Sequence, residues 1–93
     1  MSSKESIDQG LSYANEGRWD EAIIQFDAAL RLEPENTVAL SGRALAYIGQ
    51  GNVDKAMADY TAAIKVDPGD EDAFFSRGRL YEDKGELRKA IAD

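Results

Sequence analysis

A 34-residue self-similarity constrains this chain more than any other feature. The second copy is the clearest, with Ala44, Tyr47, Gly51, Ala56, Tyr60, Ala63 and Pro68. One period earlier stand Gly10, Tyr13, Gly17, Ala22, Phe26, Ala29 and Pro34. One period later stand Gly78, Tyr81, Gly85 and Ala90. Units of this length cannot bury an apolar face alone; they stack on their neighbours into a quasi-linear array.

Within each unit the punctuation predicts two helices, A and B. The first A helix is expected from about Lys4 to Glu16, closing at Gly17, where a left-handed residue suits a helix end. Its B helix starts near Asp20, with Asp20 and Glu21 in the electropositive first turn, and stops before Pro34, which disfavours helix at the preceding residue. The second A helix is expected from Val38 to Gln50, and Asn52 caps a B helix running from Val53 to Val66. In the third unit an A helix from Asp72 to Lys84 precedes a B helix beginning near Leu87. The units are residues 3–36, 37–70 and a shortened 71–93, all within one domain, 1–93.

The spacing resembles the tetratricopeptide repeat. The resemblance implies an all-α fold: a right-handed α-solenoid of stacked antiparallel helix pairs, here about two and a half repeats. Small residues (Gly10, Ala44 and Gly78 on A; Ala22, Ala56 and Ala90 on B) then sit where paired helices approach closely. Tyr13, Tyr47, Tyr81, Phe26 and Tyr60 are their large counterparts, and large against small lets helices interdigitate. Ala29 and Ala63 admit the next A helix. One departure is consistent: Gln9, Arg43 and Arg77 stand where the family usually has Leu. Trp19, where the other units carry Val53 and Leu87, reads as packing.

Composition excludes most chemistry. The chain has no cysteine and no histidine, so it lacks a thiol nucleophile, the usual neutral-pH base and the commonest metal ligands. Ser2, Ser3, Ser6, Ser41 and Ser76 have no histidine to activate them. No enzyme and no cofactor is expected. The acidic run from Asp67 to Asp72 fails as a calcium loop, because Phe74 and Phe75 fall where a ligand and a glycine are required. A net charge of −7 has the wrong sign for a phosphate backbone, so nucleic acid is not an expected partner. No apolar run approaches a membrane span, and the sequence reads as cytoplasmic.

What remains is a surface. In the family the A helices line a concave face that holds ligands. Carried over, the groove positions give an apolar strip of Ile7, Leu11, Val38, Leu45, Ile48 and Phe75, with Arg79 on the last helix and Asp8, Asp72, Glu82 and Asp83 at the edges. That pattern suits an amphipathic protein segment with Leu, Ile or Phe anchors and basic flanks. The five positions with which chaperone-binding relatives hold a C-terminal carboxylate are Ile7, Leu11, Gly42, Asp72 and Ser76. None is basic, so an acidic chaperone tail is not the expected ligand. The sequence therefore reads as a non-catalytic interaction scaffold. An alternative is a self-assembly unit, a homo-oligomer associating through Phe74, Tyr81, Leu87 and Ile91 of the shortened last repeat.

Overall fold

The computed structural model describes residues 2–92, with side chains up to residue 85. Five helices follow one another: α1 (Ser3–Asn15), α2 (Trp19–Leu32), α3 (Thr37–Gly49), α4 (Val53–Val66) and α5 (Glu71–Ala92). The described residues contain no strand. Successive helices pack on each other, and α1 also meets α3. The array is 17 Å across its thinnest dimension, less than two helix diameters of roughly 10 Å each.

The ends of α1 to α4 fall within one or two residues of the expectation, for local reasons. Ser2, Asn36 and Asn52 accept hydrogen bonds from the N–H groups of Glu5, Ala39 and Lys55 at 3.2, 3.1 and 3.4 Å, satisfying donors that a helix start leaves orphaned. Asp70 caps α5 likewise through Ala73. Gly17 and Gly51 adopt φ of 75° and 81°. Around them Arg18 and Asn52 donate to the carbonyls of Tyr13 and Tyr47 at 2.9 and 2.8 Å, while Gly17 and Gly51 donate to Ala14 and Ile48. This double closure is the Schellman ending, and it requires the left-handed residue that glycine supplies.

Two core clusters result, with Leu30 packed against both. The first contains Ile7, Ala22, Phe26, Ala29, Ala39 and Ala46. Phe26 is fully buried, and its ring lies between Gly10 of α1 and Gly42 of α3. A Cβ at either glycine would stand within 2.8 or 2.6 Å of the ring. The second cluster contains Leu40, Ala44, Tyr60 and Ala63, and extends to Ala73 and Leu80 of α5. Burial raises the pKa of the Tyr60 hydroxyl, opposed by its hydrogen bond with Ser76.

Arg43, the departure from Leu, is a cross-brace. Its guanidinium grips both oxygens of Asp59 on α4 at 2.8 and 2.7 Å and reaches Asp27 on α2 at 2.8 Å. The bond to Asp59 holds its pKa above the ordinary arginine value against the opposing effect of burial. A planar fork paired with a carboxylate in this way fixes orientation as well as charge. No buried side-chain polar atom among the described residues lacks a partner.

The third unit departs from expectation. The turn predicted at Gly85 does not form; α5 continues through it from Glu71 to Ala92, and positive φ occurs only at Gly17 and Gly51 among the described glycines. At those two turns a B helix of 14 residues follows and packs back on its A helix, whereas α5 does not turn back at Gly85. Continuing α5 adds one backbone hydrogen bond per residue without a new nucleation event. Lys84, instead of preceding a turn, pairs with Asp54 on α4 at 2.6 Å.

Candidate functional site

The face formed by α1, α3 and the start of α5 carries two adjoining hollows. One, of about 430 Å³, is lined by Leu11, Ala14, Asn15, Trp19, Gly42, Leu45, Ile48 and Gly49. The other, of about 290 Å³, is lined by Leu11, Thr37, Val38, Ser41, Gly42, Leu45, Asp70 and Asp72. Leu11, Gly42 and Leu45 belong to both, so the two form one groove. Its floor is held by the core beneath. Phe26 backs Gly42, and the absence of a side chain there lets α3 settle close over the ring.

Of the residues expected in the strip, Leu11, Val38, Leu45 and Ile48 come together. Val38 and Leu45 are 55% and 53% exposed, large apolar side chains left in water on a concave face. Ile7 does not join them. It is only 8% exposed and belongs to the first core cluster with Phe26 and Ala39. The resemblance alone gave Ile7 a lining position; its packing makes it core. Phe75, 68% exposed, and the exposed Arg79 sit on α5 outside the lining of both hollows.

Trp19 is the lining residue that the sequence reading assigned to packing alone. Its indole lies so close to Gly49 that a Cβ there would come within 2.3 Å of the ring, and it also forms part of the wall of the larger hollow. A signal was available. The unit that carries Trp19 instead of Val53 is followed by Gly49 where the next unit has Asp83, so added bulk is met by a missing side chain.

The residues marked for self-association divide. Phe74 and Tyr81 are exposed on α5, and Arg77 lies over the Phe74 ring at 5.5 Å. Gly78, between them on the same face, has no heavy atom within 4 Å of where its Cβ would be. Leu87 and Ile91 lie outside the residues whose side chains are described. Chemically the groove offers apolar contact and carboxylates. No group of three or more potential metal ligands occurs among the described residues, nor is any of their helices long and apolar enough to cross a membrane.

Comparison with known proteins follows the same lines. The family profile described as Tetratricopeptide repeat matches residues 7–71 and again residues 41–93. Among solved structures, the second TPR of Spaghetti (RPAP3) bound to the HSP90 peptide SRMEEVD superposes with a TM-score of 0.84 and 27% identity, over 97% of this chain and 83% of that one. No curated protein sequence matches significantly.

Proposed function

The chain belongs to the tetratricopeptide repeat family, and from that premise we propose that it is a non-catalytic scaffold whose groove between α1 and α3 takes a segment of a partner protein. The observation that carries this reading is the exposure of Val38 and Leu45 beside the hollows, since clustered apolar side chains on a concave face gain most when another molecule removes them from water. The segment is amphipathic, with Leu, Ile or Phe anchors and Lys or Arg flanks.

The solved neighbour holds an acidic peptide; this chain is proposed not to. At the five positions of the carboxylate clamp, Ile7 is core, Gly42 has no side chain and is backed by Phe26, and Ser76 bonds with Tyr60. Leu11 and Asp72 do line the groove, but neither can hold a carboxylate. Peptide selection from a random library, followed by amide NMR mapping, tests the reading. Selected peptides should be rich in apolar and basic residues and shift Leu11, Gly42 and Leu45, while SRMEEVD gives no saturable change. Selection of acidic peptides, or shifts confined to the outer faces of α2 and α4, would contradict it.

A second reading has its own support. Phe74, Gly78 and Tyr81 repeat the places of Leu40, Ala44 and Tyr47, which on α3 pack in the cluster with α4. On α5 Phe74 and Tyr81 are exposed, so a B-type helix of a second copy could cover this face. Light scattering over a wide dilution range separates the two: a groove scaffold stays monomeric, and an end-to-end assembly gains mass with concentration.

A further inference from the structure

We infer that the groove accepts its partner in one polarity, as an extended segment with a bulky apolar side chain in the Trp19 hollow and a Lys or Arg side chain beside Asp72. The inference rests on the groove reading above and adds to it a direction and a spacing. The two hollows share Leu11, Gly42 and Leu45 but differ in charge. Among the described residues no ionisable side chain lines the larger one, whose polar member is Asn15. The smaller one is bordered by Asp70 and Asp72. Among the described residues no lysine or arginine lines either hollow; Lys4 is exposed on α1 outside both linings.

The acidic end is not neutralised from within. Asp70 accepts the Ala73 N–H at 3.1 Å, a capping bond that leaves its charge in place. Asp72 is exposed and makes no ion pair among the described residues. The start of α5 contributes a partial positive charge of roughly half a unit, less than either carboxylate. An incoming cation therefore gains at this end and finds no counter-charge at the other. Polarity follows from that difference, since apolar contact alone is non-directional.

The spacing follows from α3. Val38 marks the acidic end and Ile48 the apolar end of one continuous helix. Their separation at 1.5 Å per residue is about 15 Å, which an extended chain spans in roughly four or five residues.

The test uses blocked synthetic peptides carrying a Phe-Leu pair and a Lys-Lys pair, at separations of about two, five and eight residues, titrated into the 15N-labelled protein. Affinity should peak near the five-residue separation by about three- to fivefold, the range expected of an exposed ion pair. In Asp72→Asn the peak should flatten while the Leu45 and Ile48 amides still shift. Equal affinity at every separation in the unmodified protein, or a peak that survives Asp72→Asn, would overturn the inference and leave the groove intact. Failure of every peptide to shift Leu11 and Leu45 would overturn the groove reading as well.

Discussion

Gly10 and Gly78 occupy the same place in the repeat, two periods apart, yet one is wedged against the Phe26 ring and the other faces open space. The junctions beside them differ in the same sense. Between α2 and α3, Trp19 closes over Gly49; between α4 and α5 the matching residues are Val53 and Asp83, which border a hollow of about 690 Å³. The polar fastening is nonetheless repeated. Gln50 donates to Asp20 at the first junction, and Lys84 pairs with Asp54 at the second. The period thus places helices and their rim contacts equally well at both ends. Closing the core between them depends on a returning helix with a large ring and on small residues to receive it.

The comparison breaks most severely at Phe26. Phe26→Ala should cost about 4 kcal/mol, measured by urea denaturation, while Tyr81→Ala at the open end should stay within about 0.5 kcal/mol. Equal losses would mean that the two ends are equally consolidated. A smaller effect is expected at the brace: Asp59→Ala leaves the partly buried Arg43 with only Asp27 and should cost about 2 kcal/mol, restored in part by Arg43→Met in the same chain. If Arg43→Met gives no relief, the guanidinium is not the source of the loss.

Much of this was legible because the signals were local. Asn52 caps its helix whichever partner packs on it, and Gly17 and Gly51 supply left-handed turns that few other residues tolerate. Gly85 carries the same letter but not the same outcome: α5 runs through it without the positive φ seen at Gly17 and Gly51, so the letter alone does not fix the turn. Of the expected strip, Leu11, Val38, Leu45 and Ile48 line the two hollows. Ile7 lies in the core instead, while its counterparts one and two periods on are the half-buried Ser41 and the exposed Phe75. A repeat position names a direction on a helix; which neighbours meet it there is set by packing between helices, and the sequence period does not encode that. Arg43 was visible as a departure, but its partners lie on two other helices.

Transplanting the first junction into the second sharpens the contrast at lower amplitude. Val53→Trp with Asp83→Gly should stabilise by about 1 kcal/mol as the indole fills the hollow and should slow amide exchange in the first half of α5. No change in exchange would show that the hollow is not what limits this end. The smallest effect is on pH dependence. The raised pKa of Tyr60 means the folded state holds the proton more tightly than the unfolded chain. Its contribution is therefore complete below the ordinary tyrosine value of 10.0 and is lost as pH rises through the folded value. Tyr60→Phe should make the alkaline loss of stability shallower; an unchanged slope would assign it to other groups.

The central claim, that the partner surface is the face between α1 and α3, is tested most directly by two matched substitutions of exposed apolar residues. Leu45 is 53% exposed in the groove and Ile24 is 61% exposed on α2, so glutamate at either site leaves the core untouched. Affinity for one library-selected peptide is measured by calorimetry against both variants. Leu45→Glu should weaken binding by about thirtyfold, about 2 kcal/mol, and Ile24→Glu should leave it unchanged. Loss of binding in Ile24→Glu with Leu45→Glu unaffected would place the partner on the opposite face and contradict the account.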